Sequence, residues 1–269
     1  MRWNELAAYA LCALLGAAGG WSVAKVLRRD LRWEPTSGLM IVGLLIAGTV
    51  VMPRVRAHNQ LAALRDAGRA QFGDTGAGEL YAQRLVPIVS DPKLDERLQA
   101  LAARMPGLPH GLAAATYAGM ARLSTEELED QLALRRQLAA GSPSICAALW
   151  RGGVAPEDLT TGLRALPLPQ QERWIELNAR AAALELAATS PVPAVSFATV
   201  GMAWSTLFAL LPPADRALLE DTAKRGPKAP ADDACRAFKL FAAEVGRLPP
   251  TARDTLVRTV TSPFLTSSP

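Results

Sequence analysis

The chain has 269 residues, of which 50% are apolar and only 6% aromatic, and its net charge is +4. Much of that positive excess falls between positions 25 and 69, and no basic stripe marks the remainder, which excludes a nucleic-acid-binding reading. With so few aromatic residues, a core has to be built mostly from Leu, Ala and Val.

Two apolar runs come first, Leu6 to Ala24 and Thr36 to Met52, on either side of a connector from Lys25 to Pro35. Nineteen residues separate Glu5 from Lys25, and nineteen separate Glu34 from Arg54, with no charge in either run. About twenty apolar residues in a helix cross the hydrocarbon core of a bilayer. A segment in lipid must also satisfy its backbone polar groups internally. The pattern predicts a two-helix transmembrane hairpin over residues 1–53, with spans at about 6–27 and 36–53. Trp3, Trp21 and Trp33 stand near the run ends, where amphipathic rings suit the interface.

Gly16 with Gly20, and Gly43 with Ala47, form small-xxx-small pairs. Such pairs let membrane helices approach closely, either within one hairpin or between two copies. Lys25, Arg28, Arg29 and Arg32 in the connector, with Arg54 and Arg56 just past the second run, are placed to meet lipid headgroups. Each such cation is worth about 1 kcal/mol near an anionic surface. Two other readings compete. Leu6 to Ala18 resembles the apolar region of a cleaved signal peptide, but a second apolar run follows at once. A buried soluble hairpin would not explain a basic connector between two charge-free runs. Cys12 does not fit a lipidation site, because Leu11 before it is large.

Counting cations on the two sides does not fix the orientation. The connector is the denser cluster, with four cations in eight residues, and such a cluster is costly to translocate. That favours a cytoplasmic connector and a periplasmic soluble domain. Arginine far outnumbers lysine and alanine is abundant, a composition of GC-rich bacterial genomes, so the expected site is a bacterial inner membrane.

Residues 54–78 read as a basic helical stem that ends in a flexible joint, Gly73 to Gly78. The glycines there make no phosphate loop, since no GxxxxGK[ST] follows a strand. Residues 79–261 read as an all-α soluble domain, an irregular bundle of helical hairpins, and 262–269 as a flexible tail. The clearest helix start is Ser124-Thr125-Glu126-Glu127, a capping box. The helix it opens places Leu128, Leu132 and Leu138 inward and Glu129, Asp130, Arg135 and Arg136 outward. The pattern Leu-Pro-x-x-x-Arg recurs at Leu168, Leu211 and Leu248, each time where proline can open a helix. Its spacings of 43 and 37 residues approach those of α-solenoid repeats; an ordinary bundle with recurring helix starts is the simpler account. Pro193 to Leu211 carries no charge and reads as a helix apolar all round, hence a central core helix, with a membrane-associated or partner-binding helix as the alternative.

Chemistry is scarce. Cys146 and Cys235 are an even pair and form a disulfide if the domain is exported; two buried thiols are the alternative. His58 lies in the basic stem and His110 in a Pro/Gly turn, and neither has a companion that makes it a catalyst. HExxH, CxxC and GxSxG are absent. The acidic run Glu126 to Asp130 suits a helix N-terminus better than a metal. Ser205 lacks the strand-to-helix elbow of a hydrolase. The expectation is a non-enzymatic protein with no catalytic residue, metal or cofactor. Its partners are the bilayer and another protein or a second copy, with no nucleic acid and no small-molecule substrate. A cytoplasmic adaptor whose stem meets anionic lipid is the second reading, and an enzyme with an unrecognised site the third.

Overall fold

The computed structural model describes residues 52–104, 111–190 and 195–261. The chain divides into two compact units, residues 1–64 and 65–269. Among the described residues there are twelve α-helices and no strand. They are α1 (Met52–Phe72), α2 (Gly76–Val89), α3 (Pro92–Arg104), α4 (Gly111–Gly119), α5 (Thr125–Gly141) and α6 (Pro143–Arg151). After these come α7 (Pro156–Ala165), α8 (Leu168–Ala187), α9 (Phe197–Leu210), α10 (Pro213–Arg225), α11 (Ala231–Glu244) and α12 (Pro250–Thr261). The all-α expectation holds. The transmembrane spans 6–27 and 36–53, apart from the start of α1, lie outside the described residues, with Gly16, Gly20, Gly43, Ala47, Lys25, Arg28, Arg29 and Arg32. The tail 262–269 and His110 lie outside them too. No helix among the described residues is long and apolar enough to cross a membrane.

The helix starts follow from local chemistry. Ser124 forms the full capping box: its hydroxyl oxygen accepts from the Glu127 amide, and the Glu127 carboxylate accepts from the Ser124 amide. Ser142 and Ser196 cap α6 and α9 through the hydroxyl bond alone, accepting from the amides of Ile145 and Thr199. Four other starts share a different device, a buried residue followed by a proline. In Leu166-Pro167, Leu211-Pro212, Ala229-Pro230 and Leu248-Pro249, the proline carbonyl accepts from the amide four residues on. A proline carbonyl there begins the helical ladder without leaving an amide unsatisfied. The sequence repeat is thus real in two of its three members. In the first, Leu168 is exposed, and the equivalent pair is Leu166-Pro167, two residues earlier.

The helices do not stack only on their chain neighbours. α8 packs on α2 and α4, α11 on α6, and α12 returns to α5 and α9. A solenoid confines contacts to adjacent repeats, so the architecture is a bundle. Two large apolar clusters contribute most of the described core. One gathers Leu128, Leu132, Leu207, Phe238, Phe241 and Leu256 from α5, α9, α11 and α12. The other gathers Phe72, Ala77, Leu138, Ile145, Leu163 and Ile175 from α1, α2, α5, α6, α7 and α8. The glycine-rich stretch after α1 is a short tight turn: Gly73 takes φ +77°, and α2 already begins at Gly76. Gly78 then lies against Gly68, where a Cβ would stand 2.4 Å from the Gly78 carbonyl oxygen. Only glycine permits that approach of the two helices.

Candidate functional site

The two cysteines of the soluble part meet. Cys146 on α6 and Cys235 on α11 have their sulfurs 2.03 Å apart and their Cα atoms 4.8 Å apart. That Cα separation is within the range a disulfide requires. Cys146 is fully buried in the larger core cluster, and Cys235, partly buried, packs against the small side chains of Ala147, Ala229 and Ala234. Arg151, the last residue of α6, donates both Nε and Nη2 to the Ala229 carbonyl beside them. A buried, bonded Cys146 is no nucleophile.

Next to this bond lies an aromatic cluster. Trp150 meets Trp204 edge-on, with ring centroids 6.5 Å apart at 89°, and Phe241 at 6.1 Å. Trp204 also packs on Phe208 at 5.6 Å and Phe241 at 5.7 Å. These offset and edge geometries are the favoured ones for rings. α6, α9 and α11 are therefore tied through one covalent bond and four rings.

The acidic run at the start of α5 holds ion pairs with arginines instead of converging on a cation. Asp130 takes Arg173 at 2.5 Å, Glu129 takes Arg253 at 2.8 Å, and Glu127 faces Arg180 at 3.7 Å. Hydrogen bonding to Asp130 holds the Arg173 pKa above its ordinary value, against the opposing effect of burial. Among the described residues no group of three or more His, Cys, Asp or Glu is placed to hold a metal ion. Between α1 and α2, Arg65 grips Glu79 through Nε and Nη2 at 2.8 Å, which lowers the Glu79 pKa and raises that of Arg65.

Two sequence expectations need correction. Arg135, expected outward, has a buried Nε with no hydrogen-bond partner, and its Nη atoms reach the Val260 and Thr261 carbonyls at 3.4 Å. Burial lowers its pKa to about 10, so it remains a cation at neutral pH. Its counter-charge is the negative end of α12. The second correction is α9. It was expected to be buried all round, yet only Val200, Ala203 and Leu207 are buried, on one side. Phe197 is 72% exposed, Met202 64% and Leu210 41%. Together with Leu168 these are the exposed large hydrophobic residues of the described chain. The outer face between them carries Ala198, Gly201, Ser205 and Ala209, and no charge. A sequence signal for this surface exists: no ionisable residue occurs from Leu186 to Ala214, a stretch of 29 residues.

Arg54, Arg56 and His58 lie in the first turns of α1. No family model, curated protein or solved structure matches the chain.

Proposed function

We propose that the chain is a membrane-anchored helical protein of a bacterial inner membrane, whose all-α domain works by binding protein partners outside the cytoplasm. The observation that carries the reading is the pair of charge-free 19-residue runs ahead of Arg54, separated by a connector with four cations. Lipid is the environment that suits two such runs. The Cys146–Cys235 bond supports the exported side, since disulfides persist in oxidising compartments and are rare in the cytosol. The domain also exposes an uncharged face on α9, and contiguous apolar surface of that kind marks a protein or membrane interaction site.

A topology experiment tests this. Cys146 is too buried to report on accessibility in the folded protein, so an exposed reporter is needed. In full-length Cys12→Ala protein, Lys228→Cys supplies one in the turn before α11. A membrane-impermeant maleimide should label it in cells whose inner membrane is intact, after the outer membrane, if present, has been permeabilised. Labelling only after the inner membrane is broken would place the domain in the cytoplasm. The adaptor reading, with Arg54 and Arg56 against anionic lipid, would then replace this one. Protein that is recovered wholly in the soluble fraction would remove the anchor itself.

A further inference from the structure

We infer that the exposed face of α9 docks on the headgroup–acyl boundary of the bilayer that anchors the chain. The inference rests on the anchoring proposed above and adds a second point of lipid contact. The surface is made by Phe197, Ala198, Gly201, Met202, Ser205 and Ala209. It belongs to a stretch of 29 residues without an ionisable group, in which the sequence ahead of α9 reads Pro191-Val192-Pro193-Ala194-Val195. Water-facing loops and helix faces are ordinarily studded with charge, and an interfacial surface that sits among acyl chains has to lack it. At the edge of this face Trp204 and Phe208 are half-buried; a Trp ring settles at the membrane interface, and Phe belongs on the apolar side of an interfacial helix.

Lipid fits this surface better than a second copy. A helix of 14 residues is about 21 Å long and 10 Å wide, a footprint of roughly 200 Å², against about 800 Å² per partner in a stable protein interface. Bilayer docking needs no such area. The chain N-terminal to Met52 carries the two apolar runs, and α1 starts at Met52. A domain tied to the bilayer meets it at high effective concentration, so a few inserted side chains suffice.

The test uses the full chain, Cys12→Ala, with the Cys146–Cys235 bond left intact and an NBD fluorophore on one introduced cysteine. Three positions are compared: Met202→Cys, Lys239→Cys as an exposed reference on α11, and Ile46→Cys in the second apolar run. The proteins are reconstituted into phosphatidylcholine/phosphatidylglycerol vesicles with or without a nitroxide on the upper acyl chain. The probe at 202 should be blue-shifted and lose most of its emission to the nitroxide, while the probe at 239 keeps its own. Adding Phe197→Asp should restore emission at 202. Quenching that persists in Phe197→Asp would show the dye, not the face, entering lipid and would overturn the inference. An unquenched 202 beside a quenched 46 would overturn it and leave the anchor standing. An unquenched 46 would overturn the anchor and this inference with it.

Discussion

Gly119 on α4 sits directly against Ala181 on α8: a Cβ built on Gly119 would stand 1.9 Å from the Ala181 carbonyl oxygen. The backbones touch because α4 offers Ala114, Ala115 and Gly119, and α8 offers Ala181 and Ala182, all buried. The obstructing atom is main chain, so no side-chain rotation relieves it. Gly119→Ala should lower stability by about 3 kcal/mol, the upper range for overpacking a closed contact. Gly201, in the middle of α9, has nothing within 4 Å of its would-be Cβ. There the same substitution should raise stability by roughly 0.5–1 kcal/mol through helix propensity. Denaturant unfolding of both variants checks the contrast; two shifts of the same sign would contradict the packing argument.

The Cys146–Cys235 bond closes a loop with a sequence separation of 89 residues between α6 and α11. In the chain-entropy model a loop of that size stabilises by roughly 4–5 kcal/mol. Complete reduction of the wild type should therefore lower its melting temperature. The double variant Cys146→Ala/Cys235→Ala should melt near the reduced wild type and show no further response to reductant. Trp150 and Cys235 pack on the same cluster of Ala147, Ala229 and Ala234, so Trp150 fluorescence provides a local readout of the same transition. If the fully reduced and the oxidised proteins melted together, the bond would have no part in stability.

The legible parts of this fold are those set by neighbours in sequence. The capping box at Ser124 and Glu127 could be read directly, because all its atoms lie within one turn. The helix starts at Pro212 and Pro249 were legible for the same reason. Leu168-Pro169 misled because Leu166-Pro167 lies two residues before it. Both pairs can open a helix, and only burial of Leu166 decides between them. Pairing of Cys146 with Cys235 followed from an even count, but their meeting is a tertiary fact. Arg135 was misplaced by its charge. Its helical position, three residues from both Leu132 and Leu138, lies on the buried face of α5, and the carbonyls that take it belong to Val260 and Thr261, 125 and 126 residues away. α9 defeated periodicity differently: both of its faces are uncharged, so the pattern held no information about which one is covered.

Ser124 holds the start of α5, the helix that contributes Leu128, Leu132 and Leu138 to the core. Its hydroxyl oxygen accepts from the Glu127 amide at 3.2 Å, and its own amide donates to the Glu127 carboxylate at 2.8 Å. Ser124→Ala removes the first bond and should lower stability by about 1 kcal/mol. Ser124→Asp keeps an acceptor at the positive end of the helix and should stay within a few tenths of wild type. Thermal melts of the two variants separate the roles. A loss of equal size in both would mean that the cap contributes nothing specific.

Asp254 on α12 receives Thr125 Oγ1 at 2.6 Å and Arg258 Nη2 at 2.8 Å. Arg258 in turn donates Nη1 to the carbonyls of Ala121 and Leu123, so the three residues lock α12 to the start of α5. Burial alone would raise the Asp254 pKa; the hydrogen bonds from Arg258 and Thr125 and the Arg258 charge outweigh it and hold the value below the ordinary one. A carboxylate whose pKa is lower in the folded state than in the unfolded state stabilises the fold above the unfolded value, about 3.9 for Asp. That stabilisation is lost as pH falls below 3.9 and through the lowered folded value. Asp254→Asn should therefore lower stability at pH 7 by about 1 kcal/mol, a charge-assisted bond discounted for its partial exposure. The gap between wild type and variant should close as pH drops below about 4. Urea unfolding of both proteins between pH 7 and pH 3 measures it. A gap that stayed constant with pH would assign the loss to shape or packing instead of the carboxylate charge.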